Sequence, residues 1–222
     1  MPVEAVLFDM DGTVIEFKFD VLGARKIAIE TLKQNGVPAR LFSEDMQTQQ
    51  ILNVGTKYLE QRGESSAPVV EEVYGKLERL ELMTVEDPVL IPGAGELLGF
   101  LESRGIPMVL VTNSSERAAL AVLSKLGLTG KFSDIVARHR GLRLKPNPDM
   151  ILEALSRLSM RPSNLIYFVG DNWADMRAAS AAGVSAIGFS KASQGLPKLL
   201  AAGAVVAFSR MKDVQDFLGS VL

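Results

Sequence analysis

The sequence contains no cysteine, which excludes disulfides, thiolate metal sites and cysteine nucleophiles. No uninterrupted apolar run approaches the ~18 residues of a membrane-spanning helix. The formal charge of -2 gives no electrostatic reason to expect nucleic acid or an anionic membrane as the main partner. The opening residues lack the basic region, long apolar stretch and cleavage site of a secretory signal, so a cytoplasmic enzyme is expected. There is no internal repeat and no low-complexity linker. What remains is a chain of 222 residues, 47% hydrophobic and 23% charged. That composition supplies a sizeable core, in one large domain or in a core with a modest second module.

The most informative stretch runs from Val3 to Thr13. Val6, Leu7 and Phe8 read as a short strand covered on both faces, where alternation is not required. Asp9 and Asp11 follow at its carboxyl end, where open α/β sheets place their ligands, and Gly12 turns the chain. The pattern then becomes helical. Val21, Ala24, Ala28 and Leu32 mark one face of a first helix that stops near Gly36 and Pro38. Ser43 is expected to cap a second helix, with Glu44 and Asp45 at its positive end and Gly63 just beyond it. Pro68 suits the first turn of a third helix carrying Val69, Val73, Leu77 and Leu80. Glu86, Asp87 and Pro88 break the run, so residues 16–87 read as a helical insertion without a strand.

Beyond it, strands and helices alternate. The predicted strands are Met108 to Val111 (ending in Thr112 and Asn113), Ile135 to Ala137, Leu165 to Val169 (ending in Gly170 and Asp171), Val184 to Phe189 and Val205 to Phe208. The predicted helices are Gly95 to Arg104, Ser115 to Leu126, Pro148 to Leu158, Ala174 to Ala182, Pro197 to Ala202 and one beginning at Asp213. Strands separated by helices of this length imply right-handed crossovers and a parallel sheet. The expected architecture is therefore α/β, a Rossmann-like parallel core flanked by helices (1–15 and 88–222) with a small all-helical module after the first strand (16–87).

Four polar clusters fall where predicted strands stop: Asp9 with Asp11, Thr112 with Asn113, Lys145 after a loop, and Asp171 with Asp175. Each has a plain structural explanation. Asp and Gly are ordinary turn residues, Thr112 or Ser114 suits a helix cap, and Asp171 and Asp175 suit a helix N-terminus. Their joint position is what distinguishes them, because a parallel sheet brings strand carboxyl ends to one edge. Several carboxylates in a dry site require a divalent cation, and oxygen ligands without histidine or cysteine suit Mg²⁺. Lys145, Thr112 and Asn113 are placed to hold phosphoryl oxygens, stabilising a transferring phosphate. An aspartate can attack phosphorus, and a second carboxylate can protonate the leaving oxygen and then activate water.

The ordered set of Asp9-Met10-Asp11-Gly12-Thr13, Thr112-Asn113, Lys145-Pro146 and Gly170-Asp171-Asn172-Trp173-Ala174-Asp175 resembles the haloacid dehalogenase superfamily, in its phosphatase branch and its phosphoglycolate phosphatase-like members. The resemblance spans nearly the whole chain. It implies a helical cap after the first motif and Mg²⁺-dependent phosphoryl transfer through an aspartyl-phosphate on Asp9, with Asp11 as acid and base. It also assigns Mg²⁺ to the Asp9 carboxylate, the Asp11 main-chain carbonyl and the Asp171 carboxylate, with Asp175 in support. The implied partner is a small phosphorylated metabolite, bound by a monomer or homodimer.

Asp11 argues against a dehalogenase, which lacks this second acid. Phosphonatases use a cap lysine, and Lys18, Lys26, Lys33, Lys57 and Lys76 all lie in the helical stretch. Sugar-phosphate mutases share all four motifs and form the enzymatic alternative; a non-catalytic phospho-ligand-binding protein is the other. Thr56 and Lys57, beside Gly55, are expected to form a substrate-facing turn that interrupts a helix. In the basic segment 138–145, Arg138, Arg140 and Arg143 are expected on a solvated loop. His139, the one histidine, reads as a surface or hydrogen-bonded residue. Trp173 is expected to pack, and Gly93 and Gly95 to open a helix.

Overall fold

A computed structural model of the chain describes residues 3–16, 20–43, 45–85, 87–139 and 141–222. The expectations that rest on Lys18, Glu44, Glu86 and Arg140 lie outside the described residues. The chain divides into two compact units, Met1–Phe17 with Asp87–Leu222, and Lys18–Glu86.

In the larger unit, β1 (Ala5–Phe8) is buried along its whole length. It leads to β2 (Ile15–Glu16), and the smaller unit contributes α1 (Val21–Gln34), α2 (Thr48–Gln61) and α3 (Ala67–Thr84) before the chain returns in β3 (Val89–Leu90). Then follow α4 (Ala94–Glu102), β4 (Met108–Ser115), α5 (Glu116–Lys125), β5 (Asp134–Arg138), α6 (Asp149–Arg157), β6 (Ile166–Gly170), α7 (Trp173–Ala182), β7 (Ser185–Phe189), α8 (Leu196–Ala202), β8 (Val206–Phe208) and α9 (Met211–Ser220).

Among the described residues six strands form one sheet in the order β5-β4-β1-β6-β7-β8, every pair parallel. The fold is a Rossmann-like α/β sheet flanked by helices. β1 is central, with β4 on one side and β6 on the other. Crossovers therefore leave β1 in opposite directions, and a crevice opens at the carboxyl ends where the connections part. Helix ends facing that edge are firmly closed. The Ser115 hydroxyl accepts from Ala118 N at 3.3 Å, and Asn172 and Asp175 form a reciprocal capping box on α7.

Several boundaries differ from the sequence expectation. β4 runs four residues past Val111, so Thr112 and Asn113 lie inside the strand, and the α5 cap is Ser115 rather than Thr112 or Ser114. α9 begins at Met211, because Arg210 and Asp213 pair across its first turn at 2.5 Å. The antiparallel ribbon of β2 with β3 was not expected. Two-residue strands are too short to register as periodicity.

The smaller unit has its own core, in which Ala24, Ala28 and Leu32 of α1 meet Ile51, Leu52 and Leu59 of α2 and Val69, Val73 and Leu77 of α3. α2 starts at Thr48, later than Ser43 implies, because Gln47 and Gln50 form its capping box, with Gln47 N donating to Gln50 Oε1 at 2.8 Å. The expected turn at Gly55 does not occur. Gly55 is buried within α2, and a Cβ there would run into the δ-methyls of Leu32 on α1. Its small size permits helix approach rather than breaking the helix. Among the described residues, no helix is long and apolar enough to cross a membrane.

Candidate active site

The end of β1 is tied to its neighbour by Asp9 N, which donates to Val169 O at 2.9 Å. This places the Asp9 side chain at the crevice, 6% exposed. Gly12 then turns at φ +79°, and a Cβ there would overlap the Asp171 carboxylate. Only glycine lets the first loop pass so close to the end of β6 while holding a left-handed conformation.

Lys145 joins the clusters. Its ammonium lies 2.5 Å from Asp9 Oδ1 and 2.8 Å from Asp175 Oδ1, and it donates to Val111 O at 3.0 Å. All three charged side chains are nearly inaccessible to solvent. Asp175 also accepts from Asn172 N at 3.0 Å. Asp9, Asp171 and Asp175 each offer a carboxylate oxygen, and these oxygens lie within 4.8 Å of one another. The structure thus brings together Asp9, Lys145, Asp171 and Asp175. Asp11 joins through Ser114, whose hydroxyl donates to Asp11 Oδ2 at 3.0 Å. Thr112 Oγ1 accepts from Ser114 N at 3.1 Å, leaving its own proton available to a ligand.

Asn113 takes a different position from the one its residue type suggested. Its amide exchanges two hydrogen bonds with the Lys145 main chain, Nδ2 donating to Lys145 O at 3.2 Å and Oδ1 accepting from Lys145 N at 3.1 Å. The side chain orients the lysine. Thr56 and Lys57 lie on α2 in the smaller unit. Thr56 Oγ1 bonds back to Asn53 O at 3.2 Å, and Lys57 is exposed.

The electrostatics follow from burial. Desolvation, opposed by Lys145 and assisted by Asp175, Asp171 and Asp11, raises the Asp9 carboxyl well above its ordinary range. Desolvation and then Asp175 push Asp171 up to about 7. Burial pulls the Lys145 ammonium down, but Asp175 and Asp9 overcome it, so it stays charged at neutral pH. Asp9 and Asp171, both raised, stand beside the Asp175 carboxylate as a donor set short of positive charge. An oxygen-only set of this kind fits a hard divalent cation such as Mg²⁺.

Some site residues escaped the sequence. Ser114 and Thr13 contact Asp11 and Asp9, Thr13 Oγ1 only loosely at 3.5 Å; both sit within or beside the motifs, which was the available signal. Arg138, expected in a solvated loop, is the buried last residue of β5, and its Nη1 donates to Asn113 O at 2.9 Å. Arg143 is exposed and paired with Asp149 at 2.7 Å, and His139 is exposed. Trp173, expected to pack, is 39% exposed at the start of α7.

Residues 3–183 match the family model of the haloacid dehalogenase-like hydrolases. The chain belongs to that family. This haloacid dehalogenase-like hydrolase is similar to phosphoglycolate phosphatases from Neisseria gonorrhoeae (32% identity over 84% of this chain and 79% of the relative) and Chromobacterium violaceum (31%, 83% and 84%). A Thermotoga maritima crystal structure, provisionally named a β-phosphoglucomutase, superposes with a TM-score of 0.66 at 26% identity, covering 99% of this chain and 100% of that one. The hydrolase is thus an enzyme of the phosphatase type.

Proposed function

We propose that this hydrolase is a Mg²⁺-dependent phosphatase that cleaves a small phosphomonoester through an aspartyl-phosphate on Asp9. The observation that carries the reading is the buried Lys145 ammonium 2.5 Å from Asp9 Oδ1, with Asp171 and Asp175 alongside. Similarity to the phosphoglycolate phosphatases makes phosphoglycolate the first ester to assay.

In the first step a carboxylate oxygen of Asp9 attacks phosphorus and the ester P–O bond breaks. Asp11, held by Ser114, gives its proton to the departing oxygen, which leaves as an alcohol. In the second step Asp11, now a carboxylate, takes a proton from water. The water oxygen attacks phosphorus, Asp9 is released as a carboxylate, and inorganic phosphate forms. Lys145 and the Thr112 hydroxyl hold phosphoryl oxygens, and Asn113 acts by fixing Lys145. Asp9 and Asp171 would hold the metal, the resemblance adds the Asp11 main-chain carbonyl, and Asp175 anchors Lys145 beside it. When bound, Mg²⁺ neutralises charge between the phosphoryl oxygens and Asp9. The helical unit is read as a cap domain, and Thr56 and Lys57, the expected specificity residues, lie within α2 rather than in a turn.

The test is a panel of phosphate esters with and without Mg²⁺, alongside Asp9→Asn. Metal-dependent phosphate release that disappears in the variant is expected; release unchanged in Asp9→Asn defeats the nucleophile assignment. The likeness to the Thermotoga maritima structure favours one second reading, a sugar-phosphate mutase. A hexose phosphate isomerised faster than it is hydrolysed would establish that instead.

A further inference from the structure

The strands β4 and β5 pair regularly up to Val111 opposite Val136, and pairing resumes at Ser115 opposite Arg138. The interval is four steps along β4 but two along β5. Thr112, Asn113 and Ser114 therefore bulge out of the ladder, which re-aims their side chains. A main-chain carbonyl in such a bulge loses its strand partner but still requires a donor. For Asn113 that donor is the Arg138 guanidinium at 2.9 Å. Arg138 is only 9% exposed, so the contact is no loose surface pairing. From Asn113 the connection continues through its amide to both main-chain polar groups of Lys145, and from Lys145 Nζ to Asp9 and Asp175.

We propose that Arg138 is a positioning residue for the reaction: by holding the Asn113 carbonyl it fixes the bulge, and through the Asn113 amide it sets the Lys145 ammonium on Asp9. This rests on the reading that Asp9 and Lys145 carry the chemistry. Arginine suits the task because its donors lie in a fixed plane, whereas lysine offers a compact charge on a flexible stem. Arg138 acts through the Asn113 carbonyl. Its loss acts by loosening Lys145, which affects the chemical step more than substrate capture.

The test uses the full chain with Mg²⁺ and p-nitrophenyl phosphate, comparing Arg138→Ala, Arg138→Lys, Asn113→Ala and the Arg138→Ala/Asn113→Ala double variant. Arg138→Ala is expected to lower kcat by about 10- to 100-fold, as small misplacements of catalytic groups do, with KM within about threefold. Arg138→Lys should recover part of the loss. The double variant should fall little below the worse single variant, since both cut the same connection. Independently of turnover, acylation of Lys145 by an amine-reactive reagent, read by peptide mass, should rise at least about threefold as its enclosure loosens. Unchanged kcat, a loss confined to KM, additive single effects or unchanged Lys145 labelling would each overturn the proposal. If Arg138→Ala does not fold, Arg138→Lys and Arg138→Met carry the same kinetic and labelling comparisons. Failure of the wild-type protein to release phosphate from any ester would instead count against the proposed function, and Lys145 labelling would still decide the role of Arg138.

Discussion

Replacing Lys145 with methionine removes one charge while keeping a side chain of similar length over Phe168, whose ring centre lies 5.3 Å from Nζ. Asp9 and Asp175, with oxygens no more than 4.8 Å apart, then face each other without a cation. Two such charges repel by about 3.5 kcal/mol at an effective dielectric constant near 20. Removing one partner from a buried ion pair costs about 3–5 kcal/mol by general experience. These figures describe overlapping effects and agree, so metal-free Lys145→Met should lose about 3–5 kcal/mol of stability at pH 8. The ammonium is raised above its ordinary value and remains charged from pH 5 to 9. In the variant, proton uptake by Asp9, whose carboxyl burial already raises, relieves the repulsion. The deficit should therefore shrink by at least about half at pH 5, and shrink again when Mg²⁺ is added at pH 8. Urea unfolding followed by circular dichroism at both pH values measures it. A variant as stable as wild type at pH 8, or a deficit independent of pH, would refute the electrostatic reasoning.

The wild-type protein should show a related pH dependence. Asp171 is raised to about 7 by burial and Asp175, so the folded state binds its proton more tightly than the unfolded chain does. The stabilisation is full below about pH 4 and lost as pH rises through 7, worth of the order of 4 kcal/mol. The gap in Tm with and without Mg²⁺ should widen from pH 5 to pH 8, and a constant gap contradicts the assignment of Asp171 to the metal. Gly12→Ala places a Cβ on the Asp171 carboxylate at φ +79°; it should abolish Mg²⁺-dependent turnover and cost about 1–3 kcal/mol, checked by assay and by denaturant titration. Gly55→Val overpacks α1 against α2 at Leu32 and should cost about 1–3 kcal/mol. If that substitution leaves the unfolding midpoint unchanged, Gly55 is not the close contact described.

The parallel core and the acidic edge were legible because they are local patterns with a simple spatial rule. Apolar runs such as Val6 to Phe8 and Met108 to Val111 mark buried strands, and residues just after them share one edge of a parallel sheet. Asp9 and Asp171 could be gathered on that rule, while Lys145, in the loop after β5, and Asp175, in the first turn of α7, were placed with them by the order of the motifs. The orientation of Asn113 could not, because its partner is the main chain of a loop thirty-two residues away, and only the β4–β5 register brings the two together. Arg138 looked like part of a basic surface loop; its burial follows from the bulge in β4, which no charge pattern signals. Gly55 was misjudged for the complementary reason. A glycine in a helical pattern reads as an interruption, yet tertiary packing against Leu32 makes small size its function. The late start of α2 reflects a Gln47–Gln50 capping box, in which glutamine takes the place usually held by serine or threonine.

The central claim is that phosphate passes through Asp9. Rapid mixing of the enzyme with Mg²⁺ and a hydrolysed ester, acid quenching, borohydride reduction and peptide mass mapping test it directly. An acyl phosphate reduces to the alcohol whereas a free carboxylate does not, so the account predicts homoserine at position 9, substrate-dependent and absent when Mg²⁺ is withheld. Full turnover with position 9 recovered only as unmodified aspartate, and with phosphate displaced with inversion at phosphorus, would contradict it.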